Sequence, residues 1–233
     1  MLALAALRSP NLAGVLTVPF IAVWLLDGFW KSRLLEGGAS RFWIVDFAEW
    51  VVLPSVSLWL LHRSAVISGR DYGLAAPLGV KDVLVLVPLA VVTTFIANYF
   101  GGFVLGRILF GYTPGAFQLE RALAALGPFW IVGTVYLSAT AAVCESIFAL
   151  SLPWLWFSRG GSVSRRKAIS FAVAAAALFA LGHWETGLAN ATGAFMFQLV
   201  AVWWYFRLRT LWPIIGAHFL IDLYWLWPPA TVM

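Results

Sequence analysis

The chain carries an imidazole and a carboxylate one helical turn apart in an apolar segment, His218 and Asp222 of His-Phe-Leu-Ile-Asp. On a helix with 3.6 residues per turn, these two side chains project from the same face. The carboxylate would then fix the imidazole tautomer, or the two groups would jointly hold a water or a substrate carbonyl. A hydrogen bond to a neighbouring helix is the structural alternative. Because polar groups at membrane depth are costly and usually mark function, the pair is a candidate site.

Two more polar residues lie upstream in apolar surroundings. Glu145 stands between Val143 and Ile147, where a carboxylate would lose hydration and become suited to proton transfer near neutral pH. Its structural alternative is a hydrogen bond or a basic partner. His183 follows Gly182 near the end of another apolar run, and considered alone it is typical of an interfacial histidine. Together the residues predict one buried polar site assembled from three helices.

The composition excludes an ordinary soluble domain, because 62% of the residues are hydrophobic and only 11% are charged. A crossing needs roughly 20 apolar residues. The predicted fold class is therefore all-α, a polytopic transmembrane helical bundle of about seven spans, with residues 1–233 forming a single integral membrane domain. The predicted spans are residues 12–30, 42–61, 82–106, 126–157, 168–184, 188–206 and 211–228, the fourth being tilted, kinked near Pro153 or preceded by an interfacial piece.

The net charge of +5 comes from Lys and Arg scattered among short loops, which favours the lipid bilayer over nucleic acid as the partner. Loops on the N-terminal side carry about twice as many of these residues as those on the other side, which predicts a cytoplasmic N-terminus. The expected location is a bacterial inner membrane. Asp46 and Glu49 share one helix face and could pair with an Arg, but we expect them to lie at the membrane interface. Asp27 lies close to the end of the first span.

Three pieces in order resemble the CPBP family, the CAAX-processing and bacteriocin-processing intramembrane proteases. They are a Glu in one helix, Phe179-Ala-Leu-Gly-His183 in the next, and a later helix with Arg-Thr-Leu-Trp-Pro before His218-x-x-x-Asp222. The resemblance covers roughly residues 125–228, the predicted catalytic core. The first motif differs, because the family usually has Glu-Glu-x-x-x-Arg where this chain has Cys144-Glu145-Ser-Ile-Phe-Ala.

The resemblance implies an intramembrane endopeptidase that cleaves a membrane-anchored protein or peptide. Forms with an altered first motif resemble sorting-associated members, which process C-terminal anchor segments of exported proteins. In the family, the first Glu activates the attacking water, while the histidines and the Asn or Asp hold that water and the oxyanion. Phe179 is expected to pack beneath His183, and both histidines to donate N–H groups to the oxyanion. The expected catalytic residues are Cys144, Glu145, His183, His218 and Asp222.

Three interpretations of the altered motif remain open. Glu145 acts as general base, which requires a small helix rotation because adjacent helical residues point about 100° apart. Alternatively, Cys144 is a nucleophile beside a histidine, which would allow transpeptidation as well as hydrolysis. In the third interpretation the site is inactive and the protein binds a peptide or another partner.

A separate class of function is a non-enzymatic immunity factor or small carrier that uses the same polar residues. The absence of a visible inverted repeat disfavours a carrier. Two histidines and a carboxylate could hold Zn²⁺, but His-Glu-x-x-His is absent and the resemblance implies metal-free water activation. We therefore predict neither a metal nor any other cofactor.

Overall fold

The computed structural model of the chain describes residues 11–36, 38–63, 68–74, 78–114, 119–158 and 163–227. Within these ranges the protein is helical and contains no strand, which confirms the all-α prediction. The helices are α1 (Asn11–Leu26), α2 (Gly28–Glu36), α3 (Ala39–Arg63), α4 (Val80–Phe110), α5 (Leu119–Ala124), α6 (Gly127–Ser158), α7 (Arg165–Leu181), α8 (Leu188–Leu208) and α9 (Trp212–Trp225).

Three of the described helices, α3, α4 and α6, are both long enough and apolar enough to cross a membrane. Helix α1 contains a shorter apolar stretch, Gly14–Leu26. The apolar helices indicate an integral membrane protein, but the predicted number of seven spans is not confirmed. The orientation of the N-terminus stays a prediction.

Local sequence explains where the last three helices begin and end. Ser164 caps α7 by accepting a hydrogen bond at Oγ from the Lys167 backbone N–H at 3.4 Å. Helix α8 ends at Leu208, and the next residue, Arg209, takes a left-handed φ of 54°. Pro213 occupies the first turn of α9, where its missing N–H costs nothing. The short turn between α8 and α9 thus places the start of α9, and with it His218, at a defined position.

Each of the three long helices contains a π-helical segment, residues 48–52 in α3, 100–105 in α4 and 146–151 in α6. Such segments add a residue to one turn and frequently occur at functional sites. The segment in α6 begins directly after Glu145. This widened turn interrupts the long fourth apolar run. The predicted kink near Pro153 stays a prediction.

Close contacts between helices hold these segments in place. Helix α8 packs against α7 and α4, and α9 packs against α4 and α6. At the crossing of α4 and α8, a Cβ on Gly101 would lie 2.6 Å from the Thr192 carbonyl oxygen, and one on Gly193 would lie 3.0 Å from that of Asn98. Small residues permit this backbone approach, as in other membrane bundles. Any larger residue at Gly101 would separate α8 from α4.

Candidate active site

A cavity of about 110 Å³ lies between the N-terminal helices and the C-terminal half of the bundle. Four of the predicted site residues line it: Glu145 of α6, His183 just beyond α7, and His218 and Asp222 of α9. The structure therefore brings together polar residues from three helical segments, as the sequence predicts. The rest of its polar lining includes Asp27, Lys31, Asp46, Thr140 and Glu185, with Trp24 and Trp50 among the aromatic residues.

His218 lies between two carboxylates. Its Nε2 is 3.3 Å from Oδ2 of Asp222 and 3.7 Å from Oε2 of Glu145. Glu145 is only 4% exposed, and its Oε2 makes no hydrogen bond within the described part of the chain. Since buried polar atoms normally have partners, this oxygen is a place where a water or a substrate group would bind.

His183 has a tautomer set by the backbone. Its Nδ1 lies 2.8 Å from the carbonyl oxygen of Phe179, which only accepts hydrogen bonds, so Nδ1 carries the proton and donates. In the neutral imidazole, Nε2 is then an acceptor. The Phe179 ring centroid lies 4.8 Å from that of His183 and 5.8 Å from that of His218. The predicted packing of Phe179 against His183 is thus confirmed.

Cys144 is not brought to the cavity. Its Sγ lies 3.2 Å from the Trp50 carbonyl oxygen, to which the thiol donates, and the residue is absent from the cavity lining. Glu145, one residue later, points towards His218 instead. The thiol contact ties α6 to the π-helical segment of α3. A catalytic role for Cys144 stays a prediction.

The structure also contributes residues that the sequence did not mark as part of the site. Asp46, predicted to lie at the membrane interface, is 2% exposed and lines the cavity wall. Its depth in the membrane stays a prediction. Lys31 Nζ lies 2.5 Å from Asp27 Oδ2 and 3.9 Å from Asp46 Oδ1. Glu49 accepts a hydrogen bond from Trp30 Nε1 at 2.7 Å. The spacing of Asp27 and Lys31, four residues apart at the start of α2, was the one sequence signal for this cluster.

Trp24 reaches the site from α1 and packs where only a glycine fits. Its indole meets the His183 ring edge to face, with centroids 6.0 Å apart, and a Cβ on Gly182 would overlap the indole. We expect Gly182→Ala to displace Trp24 and to lower the stability of the purified protein by about 1–3 kcal/mol, the usual cost of overpacking. Thermal unfolding in detergent measures this effect.

The matched control for Gly182→Ala is Leu181→Ala, which changes the neighbouring exposed residue. Its unfolding temperature should stay close to that of the wild type, since surface substitutions usually change stability little. Equal unfolding temperatures for Gly182→Ala and the wild type would show that Trp24 does not need this close contact.

The fold and the site define a helical membrane protein with a polar cavity built from a Glu, two His and an Asp. Residues 127–224 match the family model described as type II CAAX prenyl endopeptidase Rce1-like. Over these residues the match confirms the resemblance to the CPBP family, a family of proteases, that was found in the sequence. Neither a curated protein nor a solved structure matches the chain. The match spans α6 to α9, whereas the wall formed by α1, α2 and α3 lies outside it.

Proposed function

We propose that the protein is an intramembrane endopeptidase that hydrolyses a peptide bond of a membrane-anchored protein or peptide, such as a C-terminal sorting or anchor segment. The observation that carries the proposal is the position of Glu145. Its buried Oε2 makes no hydrogen bond to the described residues and lies 3.7 Å from His218 Nε2. The match of residues 127–224 to a protease family supports it. The described residues contain no group of His, Cys, Asp and Glu that could hold a metal, and the absence of a cofactor stays a prediction.

In the proposed reaction Glu145 is the general base. It takes a proton from a water whose oxygen attacks the scissile carbonyl carbon, and the electron pair of the C=O bond moves to the oxygen. The tetrahedral intermediate then collapses, the C–N bond breaks, and Glu145 returns the proton to the leaving amine. The products are a new carboxyl group and a new amine. The substrate must be locally extended, because a helical peptide bond is shielded by its own hydrogen bonds.

The other residues position the reactants. His183 donates its Nδ1–H to the Phe179 carbonyl oxygen, so its Nε2 accepts a hydrogen bond from the attacking water. This role differs from the expected one, in which His183 donates to the oxyanion. Asp222 contacts His218 at 3.3 Å and orients its imidazole. The Phe179 ring contacts both imidazoles. Cys144 donates its thiol hydrogen to the Trp50 carbonyl oxygen and takes no part in this scheme.

The test uses the full chain in liposomes with a set of membrane-anchored reporter peptides that carry C-terminal apolar segments. The reaction is run in ¹⁸O-labelled water, and products are identified by mass spectrometry. We expect cleavage with one ¹⁸O in the new carboxylate, because water is the nucleophile. A product joined to an added amine would indicate transpeptidation instead. If no reporter is cleaved and the liposomes show a proton or cation flux that depends on Glu145, the protein is a carrier and the proposal is wrong.

A further inference from the structure

The cavity has more acidic than basic side chains in its lining. Two of the acids, Glu145 and Asp222, contact His218 and belong to the proposed catalytic residues. The remaining acids of the described lining are Asp27, Asp46 and Glu185, and we call these three the acidic cluster. The one Lys or Arg of the described lining is Lys31. A single ammonium offsets one of the three carboxylates of the acidic cluster, so negative groups remain in excess.

Three separate segments bring the acidic cluster together. Lys31 Nζ lies 2.5 Å from Asp27 Oδ2 and 3.9 Å from Asp46 Oδ1. Glu185, in the turn after α7, reaches the start of α2, where a Cβ on Gly28 would lie 2.0 Å from its Oε2. Only a glycine permits this approach, and Gly28 directly follows Asp27 in the chain. The carboxylates therefore meet on one side of the cavity.

Asp46 has a carboxylate oxygen that no neighbour uses. The residue is 2% exposed and lines the cavity, and its Oδ2 makes no hydrogen bond within the described part of the chain. Lys31 faces the other oxygen from a distance too long for a hydrogen bond. The Tyr136 hydroxyl approaches Asp46 outside hydrogen-bond geometry, and its oxygen is equally unpaired. Because an unpaired buried carboxylate is costly, this oxygen is a place for a donor supplied by a ligand.

The spacing of the acids fits an organic cation better than a metal ion. Within the described ranges, no three of the His, Cys, Asp and Glu side chains converge closely enough to hold a metal. An ammonium or a guanidinium bridges wider gaps, because it carries several N–H donors on a long apolar stem. Trp50 lines the same cavity, and its ring already contacts one ammonium, Lys31 Nζ, at 5.1 Å. Aromatic surface of this kind favours cations.

The acidic cluster lies close to the proposed reacting groups. Glu185 follows His183 by two residues, so their Cα atoms are at most about 7 Å apart. The Trp24 ring lies 6.0 Å from that of His183, and Asp27 comes three residues after Trp24. Consecutive Cα atoms of an extended substrate are about 3.8 Å apart. A side chain one or two residues from the scissile bond therefore reaches the acidic cluster.

We propose that the acidic cluster is a specificity subsite, which binds the ammonium or guanidinium group of a Lys or Arg side chain one or two residues from the scissile bond of the substrate. This inference rests on the proposed hydrolysis and names the substrate feature that the cavity selects. Oδ2 of Asp46 accepts a hydrogen bond from the bound cation, while Asp27 and Glu185 supply negative charge. Lys31 holds Asp27 in place and takes no part in the chemistry.

The test uses membrane-anchored reporters that differ in one residue, which is Lys, Met or Glu, placed in turn at each of the two positions on either side of the cleaved bond. At one position we expect the wild type to cleave the Lys reporter with a kcat/KM about 10–100-fold above that of the Met reporter, the effect of one hydrogen bond to a charged group. The Glu reporter should be the poorest. Asp46→Asn should lower the Lys-to-Met ratio about tenfold.

A second variant and a control keep the test independent of folding. Glu185→Gln changes an exposed residue of the cluster and should also lower the Lys-to-Met ratio. Glu49→Gln is the matched control, because Glu49 lies one turn after Asp46 on α3, is absent from the cavity lining, and accepts a hydrogen bond from Trp30 that an amide oxygen can still accept. Its ratio should equal that of the wild type. A wild-type ratio in both Asp46→Asn and Glu185→Gln would show that these acids serve only Lys31.

Binding separates this inference from the proposed hydrolysis. Fluorescence anisotropy in detergent measures the affinity of labelled Lys and Met reporters for Glu145→Gln, which should bind them without cleavage. Tighter binding of the Lys reporter that is lost on adding Asp46→Asn supports the subsite even if the wild type cleaves no reporter, in which case the hydrolysis is wrong. Equal binding and equal cleavage of the Lys and Met reporters at every position would overturn the subsite and leave the hydrolysis standing.

Discussion

Glu145→Gln is expected to lower the rate of reporter cleavage by about 10²–10⁴-fold, the range for loss of a general base. The amide has nearly the same shape as the carboxylate but cannot accept a proton from the attacking water. Because Oε2 of Glu145 makes no hydrogen bond within the described chain, the substitution removes no partner that the fold needs. Single-turnover cleavage in liposomes measures the effect, and an unchanged unfolding temperature shows that the fold is intact.

Cys144→Ala is the matched control, since it changes the adjacent residue in the same helix. The thiol donates to the Trp50 carbonyl, so its loss should cost about 1 kcal/mol of stability and leave the cleavage rate within a few fold of the wild type. The reverse result, an inactive Cys144→Ala beside an active Glu145→Gln, would assign the attack to the thiol. An acyl-enzyme would then form and could be trapped with hydroxylamine.

The helices of this chain were largely predictable because each apolar run is bounded by a short polar connection. The predicted spans 82–106 and 188–206, for example, correspond to Val80–Phe110 and Leu188–Leu208. The number of crossings was not predictable in the same way. Helices α7 and α9 have 17 and 14 residues, fewer than a perpendicular crossing of the hydrocarbon core normally needs.

The residues of the site on α6 to α9 could also be predicted, because motif spacing alone places His218 and Asp222 on one face of a helix. Which of Cys144 and Glu145 faces the cavity could not be predicted. Adjacent helical residues point about 100° apart, and the direction of each depends on the packing and phase of the helix. In the structure Glu145 faces the cavity and Cys144 contacts Trp50. The π-helical segment that follows them was not predicted by any local sequence signal.

The cavity wall formed by α1, α2 and α3 was the largest omission from the predicted site. Asp46 lies almost 100 residues from Glu145 in the chain, and the pairing of Lys31 with Asp27 and Asp46 depends on how α2 and α3 pack. Hydropathy gives no information on such long-range contacts. This wall faces the proposed catalytic residues and lies outside the family match, so the motifs that predict the rest of the site do not include it.

His218→Ala is expected to give the second large loss of cleavage, at about the same 10²–10⁴-fold level. The imidazole stands between Glu145 and Asp222, so its removal leaves two carboxylates facing each other across an unfilled space. It also removes ring contacts with Phe179 and Phe197. We expect a further loss of about 1–3 kcal/mol in stability, the cost of a buried polar group without its partner. Cleavage assays and thermal unfolding in detergent measure the two effects separately.

The double variant His218→Ala, Asp222→Asn shows what the imidazole does. If His218 takes part in the chemistry, neutralising Asp222 should restore part of the stability but none of the cleavage. The two substitutions are then coupled in unfolding and not in catalysis. If cleavage returns with stability, the imidazole serves only to separate the charges of Glu145 and Asp222. In that case Glu145 and His183 suffice to activate the water, and the site requires one histidine rather than two.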